Sequence, residues 1–102
     1  MKALSNKQEF NDTINSGKTV FVDFYATWCG PCKKIAPFLE ELAKSTPSIV
    51  FAKVDVDGNE EVASSNGIQA MPTFIVFKDG KEMERMSGAS EEKINAIINK
   101  YK

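Results

Sequence analysis

With 102 residues, 42% of them hydrophobic and 26% charged, the chain is sized for one soluble globular domain spanning residues 1–102. Its 13 basic and 14 acidic side chains are interspersed and leave a net charge of −1, which removes any electrostatic reason to expect nucleic acid or an anionic membrane as partner. No apolar run approaches the ~18 residues that span a bilayer, and residues 1–10 lack the apolar segment of a secretory signal, so a cytoplasmic, reducing location is the default expectation.

Ser5 followed by Gln8 reads as a capping box that opens a short helix, with Phe10 and Ile14 on one face and Gly17 beyond its end. Val20-Phe21-Val22-Asp23-Phe24-Tyr25 is almost continuously β-branched or aromatic, the pattern of a strand covered on both faces. Ile35, Phe38, Leu39 and Leu42 fall at i, i+3, i+4 and i+7 and predict an amphipathic helix, which Pro37 should kink. Ile49 to Val56 is a second strand-like run, and Asp57-Gly58-Asn59-Glu60 can cap a short helix that stops near Gly67. Thr73 to Phe77 is a third strand. Asp79-Gly80, between it and Lys81 to Met86, is the signal of a type I′ hairpin. Ser90 caps a last helix with Glu91 and Glu92 in its positive first turn and Ile94, Ile97, Ile98 and Tyr101 on one face. Strand–helix–strand gives a parallel crossover and the hairpin adds antiparallel strands. The chain is therefore an α/β protein with a mixed sheet and helices on its faces. Periodicity does not supply the strand order.

Cys29 and Cys32 are the only cysteines, and there is no histidine. Cys29 falls at or just before the first turn of the central helix, where unpaired N–H groups and the positive dipole end favour a thiolate, the nucleophile of disulfide exchange. Cys32 lies three residues on, on the same helical face, close enough to resolve a mixed disulfide. Pro31 suits an early helical position because it has no N–H to lose. Activation falls to the helix end, with help at most from Lys33, Lys34 or a buried group. Three blander readings stand beside redox chemistry. A structural disulfide is one, although so short a loop constrains the unfolded chain least. Half of a metal site is another, although a closed zinc site wants four nitrogen or sulfur ligands and two chains would have to share it. The third is coincidence. Asp23 either points to solvent or joins an ion pair, Pro72 marks the entry to a strand, and Trp28 is core or the wall of a site.

The segment from Val22 through Trp28-Cys29-Gly30-Pro31-Cys32 to Lys33 resembles the active-site segment of the thioredoxin family. The resemblance continues through Pro37, Lys53-Val54-Asp55-Val56-Asp57, Met71-Pro72-Thr73-Phe74, Phe77-Lys78-Asp79-Gly80 and Ser87-Gly88-Ala89, over essentially the whole chain. It implies the thioredoxin fold, a central mixed β-sheet flanked by helices on both faces. It also implies a general protein-disulfide reductase that works through a redox-active Cys29–Cys32 pair, with Cys29 as nucleophile and Cys32 resolving. No bound cofactor and no metal are expected; NADPH enters indirectly, through a flavoprotein thioredoxin reductase. Candidate clients are a peroxiredoxin, a ribonucleotide reductase and a methionine sulfoxide reductase, and the chain is expected to act as a monomer.

The resemblance moves Asp23 to a buried place behind the cysteines, as the group that takes the proton from Cys32, with Lys53 as its neighbour. Burial raises a carboxyl pKa toward the range useful at neutral pH. It makes Pro72 a cis proline beside the cysteines, with Met71 lending backbone groups to an incoming substrate strand. Trp28, Gly30, Pro31, Ala70, Met71, Gly88 and Ala89 become a shallow apolar groove that accepts many flexible disulfide segments. Tyr25 stands where many bacterial members have tryptophan, and Met71 replaces a commoner branched residue. A disulfide oxidase or isomerase is the rival among enzymes, against which Gly30-Pro31 argues. A binding module with incidental thiols is the rival from another class.

Overall fold

The computed structural model describes residues 1–102. The chain runs β1 (Lys2–Ala3), α1 (Lys7–Ile14), β2 (Thr19–Tyr25), α2 (Gly30–Ser45), β3 (Ile49–Asp55), α3 (Glu60–Ser65), β4 (Thr73–Lys78), β5 (Lys81–Ser87) and α4 (Glu91–Tyr101). The strands form one sheet in the order β1-β3-β2-β4-β5. β2 is parallel to β3, with Asp23 opposite Lys53, and antiparallel to β4, with Phe24 opposite Thr73. β1 adds to β3 in parallel and β5 to β4 antiparallel.

Successive side chains of a strand point to opposite faces, and β2 divides the core accordingly. Val20, Val22 and Phe24 join Phe10 and Ile14 of α1 and Val62 and Ala63 of α3 in one cluster. Phe21 joins Ile35 and Leu39 of α2 and Ile94, Ile97 and Ile98 of α4 in the other. Helices thus cover both faces, which is why β2 reads as a nearly unbroken apolar run. Each fully buried Val, Leu, Ile or Phe contributes roughly 1.5–3 kcal/mol of burial free energy.

Local sequence sets the element ends, with two differences from expectation. Asn6, not Ser5, caps α1: its Oδ1 accepts the Glu9 N–H at 2.9 Å, while Glu9 Oε1 accepts the Ser5 N–H at 2.7 Å. The cap moves one residue on because the Leu4 N–H is bonded to the Lys53 carbonyl at 2.9 Å, which keeps residue 4 on the sheet, and Asn6 takes the extended conformation a cap requires. That same bond extends β1, a strand too short to show any period. Asn59 precedes α3 as expected but makes no side-chain cap; its Nδ2 donates to the Asp55 carbonyl instead. Ser90 caps α4, accepting the Lys93 N–H at 3.2 Å, and Pro37 lies inside α2.

Asp79 and Gly80 both have positive φ, 53° and 78°, as a type I′ turn demands. The Gly80 N–H donates to the Ile14 carbonyl at 2.8 Å and fastens the turn to the end of α1. β5 carries a bulge: Val76 faces Glu84 and Phe77 faces Glu82, so Met83 is the extra residue, and it is 49% exposed. The strand directions bring the ends of β2, β3 and β5 and the start of β4 to one end of the sheet.

Candidate active site

That end of the sheet is where α2 begins. Cys29 is its N-cap, Gly30 and Pro31 are the first two helical residues, and Cys32 is the third. Cys29 Sγ accepts the Cys32 N–H at 3.2 Å, and the two cysteines are joined in a disulfide with Cα atoms 5.3 Å apart. Cys29 Sγ therefore lies at the N–H groups and the positive end of a 16-residue helix. A helix N-terminus stabilises negative charge on a sulfur placed there. Both cysteines are buried.

Trp28, the neighbour of Cys29, is 67% exposed, which removes the core reading of this side chain. Its Nε1 donates to Asp57 Oδ2 at 2.8 Å. The sequence marks Asp57 as part of a helix cap and of the family resemblance, but not as a site residue. The signal lies in the register: Tyr25 pairs with Asp55, so the loops leaving two parallel strands emerge side by side.

On the other side of Cys29 stands the start of β4. The Met71–Pro72 bond is cis, and the Met71 carbonyl oxygen lies 3.8 Å from Cys29 Sγ. Pro72 is buried, and its carbonyl accepts the Gly88 N–H at 2.9 Å. Gly88 has φ +96°, a conformation side chains rarely adopt. Gly30, Pro31, Ala70, Gly88 and Ala89 are exposed and Met71 is half-buried. Pro31 and Ala89, with Lys34, Ile35 and Glu91, border a cleft of about 360 Å³.

Behind the disulfide lies a cavity of about 270 Å³ lined by Asp23, Tyr25, Thr27, Cys32, Lys33 and Lys53. Asp23 is only 5% exposed and its Oδ1 has no hydrogen-bond partner. Burial pushes its pKa up to about 7, with Lys53 pulling the other way. Lys53 stands across from Asp23 in the sheet without forming an ion pair with it, and its ammonium lies 5.8 Å above the Tyr25 ring. Asp23 is thus neither solvent-facing nor ion-paired. A buried carboxyl and Cys32 share one cavity. Nowhere do three or more His, Cys, Asp or Glu side chains gather as they would around a metal ion, and no helix is long and apolar enough to cross a membrane.

A sulfur pair able to pass between disulfide and dithiol at a helix N-terminus, with an open surface in front and a buried carboxyl behind, defines a thiol–disulfide oxidoreductase. The thioredoxin family model matches residues 2–100. Thioredoxin of Sus scrofa is 46% identical over 101 residues, covering 97% of this chain and 96% of that protein. Thioredoxin-2 of Pyricularia oryzae is 47% identical over 96 residues, 94% of this chain, and the chain spans 56% of that longer protein's length. The solved structure of Plasmodium falciparum thioredoxin superposes with a TM-score of 0.98 at 43% identity, covering 100% of both chains. The chain belongs to the thioredoxin family and is a protein-disulfide reductase.

Proposed function

We propose that Cys29 is the attacking thiol, Cys32 the resolving thiol and Asp23 the group that accepts the proton of Cys32. The observation that carries the reading is the place of the two sulfurs. Cys29 Sγ caps α2 beside exposed Trp28 and the Met71 carbonyl, whereas Cys32 lines the cavity that holds Asp23. In the dithiol form, the Cys29 thiolate attacks one sulfur of a client disulfide. The client S–S bond breaks, a Cys29–client disulfide forms and the second client sulfur leaves as a thiolate that takes up a proton. Cys32 passes its proton to Asp23 and attacks Cys29 Sγ. The mixed bond breaks, the client sulfur leaves as a thiolate that takes up a proton, the Cys29–Cys32 bond forms, and two electrons have moved to the client. NADPH restores the dithiol through a thioredoxin reductase, which supplies the two electrons.

Trp28, Gly30, Pro31, Ala70, Met71, Pro72, Gly88 and Ala89 form the surface on which the client lies, with backbone groups of Met71 pairing to the incoming strand. Lys53 moderates the charge of Asp23. The clients are flexible disulfide segments of proteins, a peroxiredoxin, a ribonucleotide reductase and a methionine sulfoxide reductase among them, and the protein works as a monomer in a reducing compartment such as the cytosol.

Two variants test the sulfur assignment. Cys32→Ser should accumulate a client mixed disulfide visible on a non-reducing gel, and Cys29→Ser should show neither trapping nor turnover. Trapping by Cys29→Ser instead would reverse the two roles. The direction of electron flow predicts a reduction potential within the range of the cytosolic glutathione pool, about −220 to −320 mV, and not the about −180 to −210 mV of the endoplasmic reticulum. Equilibration with a dithiol buffer and thiol trapping measures it; a value in the latter range would favour an oxidase or isomerase.

A further inference from the structure

Residues 66–72, between α3 and β4, bring the Met71 carbonyl to 3.8 Å from Cys29 Sγ, yet they form neither helix nor strand. Such a segment depends on hydrogen bonds from its surroundings. At its downstream end these come from residues 73, 87 and 88. The Gly88 N–H donates to the Pro72 carbonyl at 2.9 Å, Thr73 Oγ1 donates to the Ala70 carbonyl at 2.5 Å, and Ser87 Oγ lies 3.1 Å from Thr73 Oγ1. At its upstream end the N–H groups of Asn66, Gly67 and Ile68 are held by carbonyls of α3, and the Asn66 carbonyl is tied to the sheet by Arg85 of β5, whose Nη2 donates to it at 2.9 Å. The same guanidinium is held by Glu82, with Nε on Oε2 and Nη2 on Oε1, both at 2.6 Å.

In a regular strand, residues three apart point to opposite faces, and Glu82 would not reach Arg85. The bulge at Met83 changes this. Phe77 faces Glu82 and Ile75 faces Arg85, so both charged side chains stand on the side of the sheet where Phe77 and Ile75 pack with α1 and α3. Re-aiming a side chain is a recurrent use of a bulge. A carboxylate that grips the guanidinium at two points fixes its plane, which leaves the other Nη2 N–H directed at the Asn66 carbonyl.

We propose that Arg85, aimed by the bulge and by Glu82, is a positioning residue for the recognition of protein substrates. It ties the start of the 66–72 segment, which α3 holds from one side, to β5 on the other, so that Met71 meets an incoming chain already in place. This rests on the reading of Met71 as substrate-binding backbone. A protein client must lie along the segment, whereas a small disulfide needs only the Cys29 sulfur.

The test compares insulin, as protein disulfide, with dithiobis-nitrobenzoate, as small disulfide, with dithiothreitol as the final reductant for insulin turnover. In Arg85→Gln the KM for insulin should rise roughly three- to ten-fold, while kcat and the rate with the small disulfide stay within about two-fold. Glu82→Gln should move KM the same way by less, and Arg85→Lys should recover part of the loss, because an ammonium keeps the charge without the fork. Ala70→Trp obstructs the groove directly and should raise the insulin KM by itself. If Arg85→Gln leaves the insulin KM unchanged while Ala70→Trp raises it, the role of Arg85 is overturned and the groove stands. If neither variant moves KM, the groove reading falls and the proposal with it. Equal slowing toward insulin and the small disulfide also overturns it, since Arg85 would then act on the dithiol or on the fold as a whole.

Discussion

The Asp23 carboxyl combines burial, an unpartnered oxygen and a shared cavity with Cys32, and its titration is coupled to stability. In the unfolded chain it has the ordinary value of 3.8; in the folded protein it reaches about 7. The folded state therefore holds the proton more tightly. The contribution of Asp23 to stability is largest below 3.8, falls as pH rises between 3.8 and about 7, and is level above that. Asp23→Asn cannot lose this proton, so it should unfold at higher denaturant than the parent protein at pH 8, by roughly 1–3 kcal/mol, with the gain vanishing near pH 4. The same variant should resolve mixed disulfides slowly at pH 8. In the parent protein, the resolving rate should climb through pH 7 as Asp23 becomes able to accept a proton; parent-like rates in the variant would remove the carboxyl from the mechanism. Nothing in the local pattern announces this role. β2 is apolar on both faces, so alternation gives no inward or outward side against which Asp23 could be read. The family resemblance implies a buried Asp23 behind the cysteines, which is where the side chain lies; periodicity does not.

Elements were legible where they are long or carry a cap or turn with a fixed chemical demand. The spacing of Ile35, Leu39 and Leu42 and the cap at Ser90 located α2 and α4, and Asp79-Gly80 located the hairpin. β1 has two residues and no period to detect, and the α1 cap moved because tertiary pairing of Leu4 decided between two equally good capping residues. The hairpin offers a test. A Cβ on Gly80 would collide with the Asn15 side chain, which is itself tied to the Asn11 carbonyl at 2.8 Å, and the positive φ adds strain. Gly80→Ala should destabilise the fold by roughly 1–3 kcal/mol in urea titration. Gly30→Ala, at a helical position with nothing within 4 Å of the added carbon, should cost no stability. Leu39 is fully buried between α2 and the sheet, and Leu39→Ala should cost about 2–5 kcal/mol.

For the molecule as a whole, the sequence indicated a mixed sheet with helices on both faces but not the order β1-β3-β2-β4-β5. Strand order depends on pairings between residues far apart in the chain, and no local pattern encodes them. The order matters to the site: putting β2 between parallel β3 and antiparallel β4 sets Cys29, Asp57, Pro72 and Gly88 at one end from four separate stretches of chain. The Trp28–Asp57 contact and the Arg85–Asn66 tie are both products of that arrangement. The buried carboxyl behind the disulfide has one more consequence, for how such a chain changes under selection. A library sorted only for resistance to heat at alkaline pH would replace Asp23 early, since almost any neutral side chain of similar size relieves the burden it places on the fold. With Asp23 in its proposed role, the survivors would be tougher proteins and slower reductases, and an aspartate kept at residue 23 would mark a lineage in which turnover, not endurance, decided the outcome.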